Sequence, residues 1–225
     1  MRFLEKTKRD FIRGNRELSG EIGIGCGEFR SIQIIAQIMK EFKKEHPFVT
    51  FQIYSGNSSN IKERIESGIL DIGVILDYVD IRKYEYVRIP LSEEWGVLVR
   101  EDSPLAAMEY VTPEDIRELP LIISERSMRD NELADWIGKK YEDLNIVSTY
   151  NLMYNAAIMV ANGMGVAGCI KLDCRYEGTR FVPARPSVKN NSVFAWKKAL
   201  SQSQAVSSFI EFSRIYIKRI SSNTT

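Results

Sequence analysis

A single histidine and three cysteines limit the chemistry this chain can carry. A Ser/His/Asp relay needs a histidine that reaches a serine. His46 stands in Glu45-His46-Pro47, which reads as a helix-to-strand turn, so a surface role is expected for it. Cys26, Cys169 and Cys174 contain no Cys-x-x-Cys and read as reduced thiols. A redox pair of Cys169 and Cys174 stays open beside the plainer reading of small buried residues at a strand end and its loop. No histidine–cysteine grouping has metal-ligand spacing, and no glycine-rich loop has the form of a phosphate cradle. Asp71 invites a catalytic reading, yet it precedes an apolar run, where a structural polar residue is expected. What remains is binding chemistry. Ser58 and Ser59 can donate to a ligand or cap the helix that follows them. Glu28 and Arg30 can serve a site or form a solvated pair.

The 225 residues are 44% hydrophobic and 27% charged, an ordinary globular balance that suits one large or two small domains. A net charge of +1 gives no global pull toward nucleic acid or an anionic membrane. The charged start, MRFLEKTKRDFIRGN, lacks the apolar segment of a secretory signal. The longest apolar stretch, 156–170, is broken by Asn162, Gly163, Gly165 and Gly168, so no membrane span is expected. A cytoplasmic protein is the expectation.

The elements that must position these residues alternate. Residues 2–13 read as a basic amphipathic helix. Glu21 to Gly25 alternates like a strand; Ile32 to Lys44 is helical, with Ile34, Ile35, Ile38, Met39 and Phe42 on one face. Strand 49–54, helix 61–67 closed by Gly68, and the apolar strand Leu70 to Leu76 complete a β-α-β-α-β order. That order implies a parallel sheet with right-handed crossovers. Strands are expected at 85–91 and 95–100, and a helix start at Thr112-Pro113. A second series follows: strand 121–124, helix 130–140, strand 146–150, helix 154–162, strand 166–170. Returning strands at 181–184 and 193–197 precede a long helix, 203–220, that uses Val206, Phe209, Ile210, Phe212, Ile215 and Ile217. Trp95 and Trp196 fall on strands where core packing is the default.

The order of motifs from Ser19 to Ile220 resembles the effector-binding core of LysR-type bacterial transcription regulators. GEIGIG at 20–25 looks like that family's first strand, and FKKEHP at 42–47 like the end of its first helix. SGILDIGVI at 67–75 matches a Gly-x-Leu-Asp pattern, EDSPLA at 101–106 a turn after a crossover strand, and VANGMGVA at 160–167 a helix-to-strand Gly-x-Gly turn. Ala36 and Ile170 stand where the family usually has proline, and Gly27-Glu28-Phe29 where it often has adjacent hydroxyls. Ligand identity therefore does not transfer. The resemblance implies an α/β, two-lobed, periplasmic-binding-protein-like fold. Each lobe would be a mixed, mainly parallel sheet flanked by helices, joined by two crossover strands. Lobe I would span 19–98 and 182–220, and lobe II 99–181. Residues 1–18 would be the tail of a linker helix and 221–225 a disordered tail.

Ligands of such sheets sit beyond the carboxyl ends of strands, near helix N-termini. By resemblance, Cys26, Gly27, Glu28, Phe29, Asn57, Ser58, Ser59, Ser124, Arg126 and Asn151 would face one cleft and hold a small-molecule effector, with no cofactor, metal or catalytic residue. The implied function is an effector sensor, a homodimer or homotetramer that touches DNA only through an N-terminal winged helix-turn-helix absent from these residues. A transporter's solute-binding protein is the alternative; an enzyme is disfavoured by the lone histidine. Glu28 would repel an anionic ligand, and with Arg126 and Arg129 it could suit a zwitterion; if all three face solvent, an ordinary carboxylate or an uncharged metabolite is the alternative.

Overall fold

Continuous apolar sequence builds a strand covered on both faces, and alternating sequence a half-covered one. A computed structural model describes residues 18–76, 81–125, 132–198 and 202–222. The helix expected over 2–13, together with Arg126 and Arg129, lies outside the described residues.

The first series folds as read. β1 (Ser19–Cys26), α1 (Ile32–Glu45), β2 (Phe48–Ser55), α2 (Ser58–Glu66) and β3 (Ile72–Leu76) follow in order. β1 pairs in parallel with β2 and with β3, Cys26 standing opposite Ser55 on one side and Val74 on the other. Every residue of β3 is buried. Asp71 is structural: its Oδ2 accepts the Gly23 N–H at 2.8 Å, tying β1 to the start of β3. Gly68, at φ +74°, ends α2 in the left-handed conformation that glycine adopts without strain.

The strands expected at 85–91 and 95–100 are one strand, β4 (Tyr84–Arg100). The polar Ser92-Glu93-Glu94 between them looks like a loop, yet Glu93 is fully buried. β4 serves two sheets. Its first half pairs antiparallel with β9 (Lys189–Lys197), and its second half with β7 (Val166–Ile170) and β8 (Thr179–Pro183). The resulting order is β2-β1-β3-β9-β4 in the first lobe. It continues as β4-β7-β5-β6 in the second, through β5 (Leu121–Ser124) and β6 (Ile146–Tyr150), with β8 on β4. β5 is parallel to β6 and to β7. The chain is thus two-lobed, with a parallel three-strand core in each lobe and antiparallel strands where the lobes join.

Helices α3 (Pro113–Ile116), α4 (Glu132–Ile137) and α5 (Met153–Ala161) flank the second sheet, and α6 (Gln204–Ser222) packs on the first. Pro113 opens α3 behind Thr112, whose N–H donates to Asp115 Oδ2 at 2.7 Å. α4 is shorter than the expected 130–140, because Gly138 turns it off at φ +73°.

Apolar helix faces meet in the first lobe. Ile35, Ile38 and Phe42 of α1 are buried, and Ile34 and Met39 are half-buried against the same core. That face is therefore largely covered within its own lobe. On α6, Val206, Phe209, Ile210 and Ile217 turn inward, but Ile215 is 60% exposed and falls off the expected face. The Phe209 ring lies 5.0 Å from Phe42, 4.9 Å from Phe51 and 6.2 Å from Phe194, centroid to centroid. Phe209→Ala is expected to cost about 3–5 kcal/mol by leaving a cavity among these rings. Urea titration should show a lower midpoint at unchanged slope.

Candidate functional site

Parallel strands of both lobes point their carboxyl ends at one cavity of about 110 Å³. From the first lobe come Gly27, Glu28 and Phe29, after β1, and Gly56, Asn57 and Ser58, after β2. From the second come Ser124, after β5, and Tyr150, Asn151 and Met153, after β6. Trp95 and Asn190, on β4 and β9, form the floor between them. A groove of about 800 Å³ opens beyond Met153, Cys169 and Leu172, which line both spaces.

Seven of the ten sequence-predicted residues meet at this cavity: Gly27, Glu28, Phe29, Asn57, Ser58, Ser124 and Asn151. Arg126 lies outside the described residues. Ser59 is exposed and lines none of these spaces. Cys26 is buried, its thiol donating to Gly27 O at 2.9 Å, and it borders a separate cavity behind the loop. Neither Ser58 nor Ser59 caps α2; Asn57 does, accepting the Asn60 N–H at 2.9 Å.

Two other helix starts are satisfied by carboxylates from distant sequence. Glu93, on β4, accepts the N–H groups of Arg30 (3.2 Å) and Ser31 (3.0 Å) at the start of α1. Glu28, in the loop after β1, accepts the N–H of Met153, the first residue of α5. The hydrogen bond of Glu28 therefore crosses from one lobe to the other. Glu28 and Arg30 do not form the solvated pair considered above. Arg30 Nε instead donates to Asp173 Oδ1 at 2.9 Å, and Gln33 Nε2 donates to Asp173 Oδ2 at 2.6 Å. Asn57 Nδ2 reaches Glu125 Oε2 at 3.4 Å.

Burial favours the neutral forms of Cys26, Cys169 and Tyr150. Burial, followed by the nearby charges of Glu93 and Glu28, pushes the Cys26 thiol up to about 12. Burial alone pushes Cys169 up to about 12, and Cys174 is exposed with no disulfide to either. A thiol held protonated is a poor nucleophile and a poor partner for disulfide exchange. Tyr150 donates to Gly168 O at 2.7 Å, and burial raises its phenol well above the ordinary range. Among the described residues no group of three or more His, Cys, Asp or Glu side chains is arranged to hold a metal. The cavity can orient a small molecule by amides, hydroxyls, aromatic faces and one carboxylate.

Sequence reading missed Trp95, which is half-buried, lines the cavity, and packs edge-on against Trp136 with centroids 5.3 Å apart. It also missed Tyr150, Asn190 and the bridging Asp173. Gly27 has a steric reason to be glycine: a Cβ there would stand 2.2 Å from the Phe29 ring folded over it.

The LysR substrate-binding domain model matches residues 15–216. The chain belongs to this family. Curated relatives include uncharacterised HTH-type transcriptional regulators YfeR of Shigella flexneri (26% identity over 165 residues, 73% of this chain and 53% of that protein) and YvbU of Bacillus subtilis strain 168 (23% over 148 residues, 66% and 49%). The chain spans about half the length of these relatives. Among solved structures, the effector-binding domain of QuiR in complex with shikimate superposes with a TM-score of 0.76 at 18% identity, covering 90% of this chain and 99% of that one. The regulatory domain of CcmR from Synechocystis PCC6803, in complex with 2-PG, gives 0.71 at 14% identity, with 90% and 99% covered. Both confirm the two-lobed LysR substrate-binding fold. No helix among the described residues is long and apolar enough to cross a membrane.

Glu93 yields a pH prediction. Burial raises its carboxyl above the ordinary glutamate range, against the lowering effect of the Ser31 and Arg30 hydrogen bonds. The folded protein thus holds this proton more tightly than the unfolded chain does. Its contribution to stability is full below the ordinary glutamate range and is lost as pH rises through the raised value. Glu93→Gln removes that titration. The stability of wild type minus variant, from denaturation at a series of pH values, should fall with rising pH across that window.

Proposed function

We propose that the chain is the effector-sensing and oligomerisation domain of a LysR-type transcription regulator, cytoplasmic and without catalytic activity. In this reading a small metabolite enters the interlobe cavity and changes the lobes' relative orientation, and so the placement of DNA-binding helix-turn-helix domains. The observation that carries it is the cavity itself: loops from both lobes line it, and two hydrogen bonds, Met153 N–H to Glu28 and Asn57 to Glu125, join the lobes there. The family match and the HTH-type relatives support the regulatory role. QuiR was solved with shikimate and CcmR with 2-PG, so small metabolites occupy such domains in similar proteins. We take 19–98 with 182–220 as one lobe and 99–181 as the other, with the cleft residues acting together as the binding set. A homodimer through the first lobe is part of the reading. It is supported by Phe48 (55% exposed) and Ile53 (44% exposed) on β2, at the end of that sheet's strand order.

A solute-binding protein for a transporter would use the same cavity. The reading frame upstream of Met1 separates the two, since a regulator encodes a helix-turn-helix there and a solute-binding protein a secretory signal. Sedimentation at tens of micromolar should show a dimer, and a purely monomeric profile would remove that part of the proposal.

A metabolite screen by thermal shift should find a ligand, because binding to the native state alone raises stability, by about 2.7 kcal/mol at a hundredfold excess over Kd. Asn151 is exposed at the cavity's rim. Asn151→Trp should abolish that shift while moving unliganded stability by no more than about 0.5 kcal/mol. A ligand whose shift survives this variant binds elsewhere and sinks the assignment of the cleft.

A further inference from the structure

Glu28 is the one charged side chain among the described residues that line the cavity. Its charge is not cancelled by the neighbouring cation, because Arg30 is turned away to Asp173. The neutral forms of Cys26, Tyr150 and Tyr176 are all further favoured by the Glu28 charge, although burial is the larger cause for each. Its field therefore reaches the walls of the site. The free N–H at the start of α5, where an anion would ordinarily be welcomed, is already taken by the Glu28 carboxylate. The corresponding N–H groups at the start of α1 are taken by Glu93. Three aromatic side chains, Phe29, Trp95 and Tyr150, line the same cavity as Glu28. Aromatic faces around a carboxylate favour a cationic group and offer nothing to an anionic one.

We propose that Glu28 sets the charge of the effector: the cavity admits a small molecule carrying an ammonium group, held against the Glu28 carboxylate and the rings of Trp95 and Tyr150, and rejects simple carboxylates. This rests on the sensor reading above and names the class of its ligand. An amine without a carboxylate and an amino acid share the recognised group, and they differ only in what the far side of the cleft must supply. A carboxylate-bearing ligand without an amine meets Glu28 as a like charge and finds the α5 N-terminus occupied. To bind there it must first displace Glu28.

The test uses thermal shift followed by titration calorimetry on the whole chain. The panel is butylamine, putrescine and lysine on one side and butyrate and succinate on the other. Wild type should respond to one or more of the amines at millimolar concentration and bind them at least tenfold more tightly than the matching carboxylates. Glu28→Gln keeps an acceptor for the Met153 N–H and removes the charge; the amine response should fall at least tenfold. Glu28→Ser frees that N–H as well, and the carboxylate response should rise above that of wild type. Glu28 is exposed on a loop, so neither variant removes core packing. The proposal is overturned if carboxylates bind wild type as well as amines do, if no amine produces a shift, or if Glu28→Gln leaves amine affinity unchanged. In the first of these cases the sensor reading stands, provided Asn151→Trp abolishes the carboxylate shift. If Asn151→Trp leaves every ligand shift intact, the sensor reading of this cleft fails instead.

Discussion

Among the described elements, α1, α2 and α5 begin at the cleft, and each begins with backbone N–H groups that no residue of its own helix can satisfy. Those groups are the constraint on which the rest of the site depends. In an effector domain they are the natural seats for a ligand's acceptors. Here each is given an acceptor from within the chain: Asn57 for α2, Glu93 for α1 and Glu28 for α5. The three solutions differ in consequence. The Asn57 cap is local and neutral. The Glu93 cap is buried, and it fixes the start of α1 to the strand shared by both sheets. The Glu28 cap is exposed, comes from the opposite lobe, and brings a full negative charge to the cavity.

The contacts that join the lobes across the cleft are individually weak. The Arg30–Asp173 pair is part-exposed on both sides, and pairs of that kind contribute between nothing and about 1 kcal/mol. The Asn57–Glu125 bond is long at 3.4 Å. The Gln33–Asp173 bond joins exposed side chains, and the Glu28–Met153 bond is a single charge-assisted contact. A closed arrangement held by such contacts lies within reach of one small ligand's binding energy, which is what population shift requires. A cleft sealed by a large apolar interface would not respond.

Much of this was legible in the chain. The Gly-x-Leu-Asp run at 68–71 placed a turn, a buried strand and a structural aspartate correctly, because those features are local: a φ that favours glycine, an apolar stretch, and a carboxylate facing a nearby strand. Periodicity placed the strand ends, the family resemblance placed Gly27, Glu28, Phe29, Asn57 and Asn151 at a cleft, and these five line the cavity. Trp95 was assigned to the core, since its exposure to the cavity depends on the register of a 17-residue strand that sequence divided in two. Asp173 carried no signal at all. Its partners, Arg30 and Gln33, lie more than a hundred residues away, on the other lobe. Ser59 was drawn in as a hydroxyl beside Ser58, but adjacent residues at a helix start point in different directions, and only Ser58 turns to the cavity.

β4 explains how such a site can report its state. One continuous strand is hydrogen-bonded into both sheets, so any rotation of one lobe against the other must bend it. Its ladder with β9 is already interrupted between Arg88 and Ser92, and Pro90, within that gap, has no N–H to donate. Just beyond lie Glu93, which holds the start of α1, Glu94, whose carboxylate pairs with Lys171 at 3.2 Å, and Trp95, which faces the cavity. Three consecutive residues thus touch the first lobe's helix, the second lobe's edge and the cavity wall. In the proposed sensor, a ligand against the Trp95 ring would touch the same short segment that holds the start of α1.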